Sequence, residues 1–243
     1  MSKQLGILFK PEMVRAILEG RKTQTRRGLP IHPTIDQSQL FEPSFDDDNS
    51  NLYFRMQVDG KDVLVKPIKC PWQVGDCLYV KETWWSYGYF EETGEYTKSG
   101  KPKKQWKMAW EGAVFLDQKK PPMQSGLTDN FKWRKMSSLF LAQKDARIWL
   151  KVTNVRVERL LDISDDDAIA EGIDCCDRPT GGDDYVDYYR DYMQPPKGDD
   201  GWPWIEGYPN KSYFSLWDSI NGAGSHQLNP WVWVIEFERC EKP

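Results

Sequence analysis

Apolar and polar positions alternate from Ala146 to Leu160, with Ile148, Leu150 and Val152 in one phase and Val155 and Val157 in the other. A period of two marks a strand, and the phase change at Thr153-Asn154 marks a bulge or bend, so the pattern predicts one long, bent strand. Met13, Val14, Ile17 and Leu18 recur instead at helical spacing behind Pro11, which predicts a short amphipathic helix from about Pro11 to Glu19, ended by Gly20. Tyr213, Phe214, Leu216, Trp217 and Ile220 form the apolar face of another helix, stopped by Asn221-Gly222. Between these, Ser164 can cap a short helix whose first turn is Asp165-Asp166-Asp167, where carboxylates favour the positive end of the dipole, and Gly172 closes it after Glu171. Further strands are predicted at Leu5–Phe9, around Val63, Val65 and Ile68, after the turn at Val74-Gly75-Asp76, at Trp106–Trp110 and, largely buried, at Pro230–Phe237.

Two stretches break this patterning. Residues 30–60 are polar and irregular around Asp46-Asp47-Asp48-Asn49-Ser50-Asn51, and residues 174–210 are rich in Gly, Pro, Asp and Tyr. Both read as insertions. Several strands, few short helices and no regular βαβ alternation favour an α+β fold over a doubly wound sheet, specifically a small β-barrel flanked by helices. At 243 residues, the expectation is a single domain carrying the two insertions.

Composition changes this picture in three ways. Twelve Trp, 11 Tyr and 10 Phe supply a substantial aromatic core despite a mean hydropathy of -0.71. A net charge of -4 argues against a general polyanion binder, so contact with nucleic acid requires a local patch. Cys70, Cys77, Cys175, Cys176 and Cys240 are odd in number and contain no C-x-x-C pair, which suits reduced thiols of a cytoplasmic protein. Zinc held by four of these cysteines, completed by His32 or His226, fits no common spacing, and no metal or cofactor is expected. The first residues lack a signal-like apolar run and no stretch approaches a membrane span, so the expectation is a soluble protein without membrane contact.

The local patch is Gly20-Arg21-Lys22-Thr23-Gln24-Thr25-Arg26-Arg27, four cations and two threonines directly behind the first helix. Glycine tolerates the left-handed conformation that closes a helix, so Arg21–Arg27 is expected to leave it as an ordered basic loop. Arginine forks and a lysine on such a loop suit phosphate; a solvated basic turn is the plain alternative.

The basic run, together with Ile7-Leu8-Phe9, Gly75-Asp76, Val80-Lys81-Glu82-Thr83-Trp84, Val155–Leu160, Ala168-Ile169-Ala170-Glu171-Gly172, Leu216–Asn221 and Asn229–Trp233, resembles the ASCH family, in particular its longer phage and prophage members. The matching segments span the chain. The resemblance implies a PUA-like barrel with a cleft between barrel and helices, lined by the basic loop and taking RNA or a nucleobase. Some small bacterial members are amidohydrolases that remove the acetyl group of N4-acetylcytidine with a lysine, a threonine and a glutamate, which carry over to Lys22, Thr25 and Glu171. On that basis the chain is expected to bind a nucleoside and hydrolyse an N4-acyl amide of a cytidine-like substrate, in the host cytoplasm if phage-encoded. The alternatives are a noncatalytic RNA- or nucleotide-binding phage protein, a ribonuclease, or an inhibitor of host nucleic-acid machinery.

Arg21, Arg26 and Arg27 are then the phosphate or substrate contacts, Glu82 is a reserve carboxylate, and Trp84, with Trp85 and Tyr87, is a stacking surface for a base. Neighbouring arginines push Lys22 towards its neutral form, whereas a close Glu171 pushes it back. The plain readings are that Lys22 binds phosphate, Thr25 holds the loop, and Glu171 pairs with an arginine. The insertions could cover the cleft or bind a protein partner.

Overall fold

The computed structural model describes residues 2–31, 35–109, 112–117, 130–179, 185–195 and 203–243. In chain order its elements are β1 (Gln4–Leu8), α1 (Pro11–Leu18), β2 (Gln24–Gly28), β3 (Leu40–Phe45), β4 (Asn51–Val58), β5 (Lys61–Leu64), β6 (Ile68–Lys69), β7 (Cys77–Lys81), β8 (Trp84–Tyr96), β9 (Pro102–Met108), β10 (Val114–Phe115), β11 (Lys132–Met136), β12 (Trp149–Arg159), α2 (Asp165–Ala170), β13 (Cys175–Pro179), β14 (Tyr185–Arg190), β15 (Trp204–Glu206), α3 (Pro209–Asn221) and β16 (Trp231–Cys240). Strand outweighs helix and the sheets are mixed, which makes the fold α+β; among the described residues no sheet closes into a barrel. The chain forms two compact units, one of Met1–Lys3, Arg15–Cys77 and Leu150–Cys240, the other of Gln4–Val14, Leu78–Trp149 and Glu241–Pro243.

In the first unit β16 lies between β12 and β2. Val232, Trp233, Val234 and Ile235 are all buried, so β16 is apolar on both faces and reads as a continuous hydrophobic run. β2 pairs with it antiparallel, from Gly28 opposite Val232 to Gln24 opposite Glu236. This corrects the expected basic loop. The chain turns at Gly20, where φ is +79°, and by Gln24 it has become the edge strand of the sheet, because β16 offers an antiparallel ladder to the backbone groups that face it. β12 shows its phase change in its burial: Thr153 and Asn154 are exposed in succession.

The stretch 30–60 is also more ordered than its polarity predicts. Leu40, Leu52 and Phe54 are buried, and β3, β4 and β5 pair in order as antiparallel neighbours, with β6 also on β4. Asp46 holds the β3–β4 turn by accepting from the Ser50 and Asn51 amides at 2.7 and 2.9 Å. Its acidic residues therefore build the turn as well as solvate it. Within 174–210, β13, β14 and β15 form an antiparallel meander with Tyr189 buried; Gly181-Gly182-Asp183-Asp184 and Pro196 lie outside the described residues. α2 and α3 form as expected, with the Ser164 hydroxyl accepting from the Asp167 amide and Gly222 following α3, but Ile220 is exposed rather than part of the buried face.

In the second unit β1 neighbours β7, and β8 carries β9, β10 and β11 as antiparallel partners. The strand expected at Trp106–Trp110 is β9, which starts earlier, at Pro102; Trp110 lies outside the described residues. Trp84, Phe115, Leu141 and Ala146 form one buried cluster of this unit.

Candidate functional site

α1 is the first positioning element. Gly20 closes it, and the Ala16 carbonyl accepts from both the Arg21 and Lys22 amides at 2.9 and 3.1 Å, which points the chain towards the end of α2. There Lys22 and Glu171 form an isolated antiparallel bridge, and the Thr23 amide donates to the Ala170 carbonyl at 2.9 Å. Gly172 permits this approach. Its φ is +80°, and a Cβ there would lie 2.7 Å from the Lys22 Cβ and 2.9 Å from the Ala16 Cβ. Only glycine fits.

That junction brings two of the three expected catalytic groups together. Lys22 Nζ donates to Glu171 Oε2 at 2.6 Å and to the Glu171 carbonyl at 2.8 Å, with the lysine side chain 0% exposed. Burial lowers the Lys22 pKa from its ordinary value; Glu171 opposes the shift, while Arg27 and Arg26 add to it. The amine is thus biased towards its neutral form in spite of its carboxylate partner.

Glu171 also meets Arg26, whose Nη1 donates to Glu171 Oε1 at 3.5 Å. The Arg26 side chain is fully buried, and its Nη2 donates to Asp167 Oδ2 at 2.8 Å and Glu158 Oε2 at 3.0 Å. Arg156 extends the network to Asp167 at 2.6 Å, to Glu158 at 2.5 Å and to Glu236. Gln24 donates to the Asp167 side chain and carbonyl at 2.9 and 2.7 Å. Arg26 is therefore an internal counterion, and the plain expectation that Glu171 pairs with an arginine describes part of its role.

Alternation along β2 sets Thr25 and Arg27 on the strand face away from Gln24 and Arg26, opposite Ile235 and Trp233. Thr25 is 4% exposed, and the structure gives its hydroxyl no bond to Lys22 or Glu171. Arg27 links its face to the junction: burial lowers the guanidinium pKa against the pull of Glu171 and Tyr213, and its charge acts on Lys22. Tyr213, from α3, is the residue that sequence patterning assigned to the core alone. Burial, with Glu171 second, raises its pKa well above the ordinary value, so it stays a neutral phenol able to donate, and the Arg26 guanidinium lies 5.7 Å from its ring centroid. Asp167 and Glu158 were likewise not singled out, because a helix-start carboxylate and an alternating strand glutamate carry no signal of an arginine 141 or 132 positions away.

The remaining expected contacts are placed differently. Arg21 donates to the Gly172 and Ile173 carbonyls at 3.0 and 3.1 Å and pairs with Glu19 and Asp174, so its fork is occupied by the protein. Glu82 belongs to the second unit. Arg147 engages it through two bonds of 2.9 Å and also holds Asp117, and burial raises the Glu82 pKa. Trp84 is packed in the core of that unit, where Phe115, Leu141 and Ala146 surround it. His226 pairs with Asp218 at 2.8 Å, and His32 lies outside the described residues. No helix of the described residues is long and apolar enough to cross a membrane. No family model, curated protein or solved structure matches this chain.

Proposed function

We propose that the chain is an ASCH-type protein whose Lys22–Glu171 junction serves a pocket for a cytidine-like nucleobase, where it hydrolyses an N4-acyl amide. The observation that carries this reading is a lysine with no exposed side-chain surface, 2.6 Å from a carboxylate yet biased by burial towards the free amine. The PUA-like part of the reading is supported by the order of elements: a helix, the basic strand β2, the Ala-Ile-Ala-Glu-Gly helix α2 and a final strand β16 beside β2.

Neutral Lys22 would take the proton of the Thr25 hydroxyl as that oxygen bonds to the amide carbonyl carbon. The carbon–N4 bond then breaks, and the lysine returns the proton to the departing amine. Water cleaves the acyl-threonine by the same route in reverse, regenerating the hydroxyl. Glu171 orients the amine, and Arg27 and the Tyr213 phenol, both electrostatically coupled to Glu171, would donate to the developing oxyanion.

Incubation with N4-acetylcytidine, with cytidine followed by chromatography, tests this. Lys22→Ala and Thr25→Ala should each lower turnover by about 100-fold or more while the circular dichroism spectrum is kept. No turnover by the intact protein, or unchanged rates in both variants, overturns it. The occupation of Glu171 by both Lys22 and Arg26 favours a second reading, a noncatalytic nucleotide-binding protein. That reading requires binding of cytidine or RNA without hydrolysis, weakened by Arg27→Ala.

A further inference from the structure

The second unit carries a separate surface. In the sheet of β9, β8 and β11, Phe90 stands opposite Trp106, and Ser86 opposite Arg134. Residues of even number on these three strands share one face by register: Ser86, Phe90, Lys104, Trp106, Lys132 and Arg134. The Phe90 and Trp106 rings meet edge to face, with centroids 5.1 Å apart. Trp106 Nε1 donates to the buried Ser86 hydroxyl at 3.0 Å, which fixes the indole against the sheet. Over these rings lie two cations. The Arg134 guanidinium is 5.2 Å from the Phe90 centroid and 5.5 Å from that of Trp106, and Lys132 Nζ is 5.4 Å from Phe90.

Both features run against ordinary surface practice. Phe90 is 39% exposed, although the opposite face of the same sheet buries Tyr87 against Phe131 and Trp133. Lys103, Lys104 and Lys107 are each paired with a glutamate of β8, whereas Lys132 and Arg134 have no carboxylate partner among the described residues. Their positive charge is directed at ring faces and solvent. On this face Lys104, Lys132 and Arg134 stand against Glu92, in a chain whose net charge is -4. A local cationic excess on an exposed Phe90 and a half-buried Trp106, within an acidic protein, is complementary to a ligand that combines phosphates with flat, apolar rings.

We propose that this face, with Phe90, Trp106, Lys132 and Arg134 at its centre, binds single-stranded nucleic acid. Unpaired bases stack on Phe90 or on the Arg134 guanidinium plane, and Lys132 and Arg134 neutralise the phosphates that follow. A duplex keeps its ring faces stacked inside and offers only phosphates to such a platform, so single strands are preferred. The proposal does not depend on the Lys22–Glu171 junction, whose residues belong to the other unit.

The test is fluorescence anisotropy with labelled 12-nucleotide oligomers, one RNA and one DNA of the same mixed sequence, and the matching DNA duplex, titrated with the intact protein over a range of salt. The single strands should bind at least tenfold more tightly than the duplex; the RNA and DNA arms show which sugar the face accepts. Phe90→Ala should weaken single-strand binding by about fivefold or more, from the loss of one stacking platform. Lys132→Ala/Arg134→Ala should weaken it further and reduce the slope of log K against log salt by about 1.4, the value for two lost phosphate contacts on a single strand. Lys61→Ala, at an exposed lysine of the other unit, should bind like the parent, which separates this face from a general loss of positive charge. All three positions changed on the sheet are solvent-facing, and unchanged melting curves confirm that the fold persists. Absence of binding, equal affinity for the duplex, or parental affinity in both sheet variants overturns the proposal.

Discussion

Gly172 is where one missing methyl group decides the site. Its left-handed backbone and the 2.7 Å that a Cβ would leave to Lys22 mean that Gly172→Ala carries both a conformational and a steric cost, about 2–4 kcal/mol together. Chemical denaturation should show that loss, and turnover should fall with it because Lys22 must shift. Lys22 itself sets a pH signature. Its folded pKa is below the ordinary 10.5, so between the two values the unfolded state binds more protons and stability rises with pH, the reverse of an ordinary ion pair. Glu171→Gln removes the group that pulls this pKa back up. We expect its deficit against the parent to shrink as pH rises, because the missing counterion matters only while Lys22 is protonated and the folded amine of parent and variant alike loses its proton at higher pH; urea titrations at about pH 6 and about pH 10 check this. A deficit that does not change with pH would assign Glu171 a packing role.

At the scale of elements, two hairpins make different demands. β8 and β9 approach so closely at Gly88 that an added Cβ would lie 2.0 Å from the Lys107 carbonyl oxygen. That neighbour is backbone and cannot swing aside. Gly88→Ala should therefore open the β8–β9 ladder around Met108, at about 2–3 kcal/mol, seen as faster amide exchange at Tyr87–Phe90 than in the parent. The β3–β4 turn is held by polar bonds instead. Asp46 accepts from two amides, chiefly Asn51, and from the Ser50 hydroxyl and the Asn51 side-chain amide, which bring its pKa down to about 2. A depressed carboxylate contributes above its unfolded pKa of 3.8 and is lost as pH falls towards 2. The Asn51 amide resonance should accordingly titrate with a midpoint near 2, and Asp46→Ala should abolish that step.

Over the whole molecule, Asp167 and Asp218 act in the same direction as Asp46, since burial, which would raise both pKa values, is outweighed and both are lowered, Asp167 through Gln24, Arg26 and Arg156 and Asp218 through the His226 and Gly224 amides. The acid limb of stability should thus fall below pH 4, and Asp167→Asn should flatten it; an unchanged limb would show that the Arg26–Arg156 network carries none of the pH dependence. The elements of this molecule were legible from short windows of residues. Periodicity, Pro11, Ser164 and the stop glycines at 20, 172 and 222 are local signals, and α1, α2, α3, β12 and β16 form where they indicate. Leu52, Phe54 and Met56 alternate within the stretch read as irregular, a signal masked by the acidic turn beside it. The partnership of Lys22 with Glu171 was anticipated through the family resemblance, but its physical character was not, because burial depends on what β16, α2 and α3 bring up from more than 140 residues away. For the same reason the basic run turned from loop to strand: its own residues are strongly polar, and only the apolar β16 beside it supplies the ladder that makes a strand of them. Residue order by itself determined where the chain turns, coils and extends, since those choices are made by neighbours along the backbone; which cations are buried, which carboxylates meet them and which aromatics remain in solvent were decided only when distant segments packed, since desolvation and pairing are properties of space.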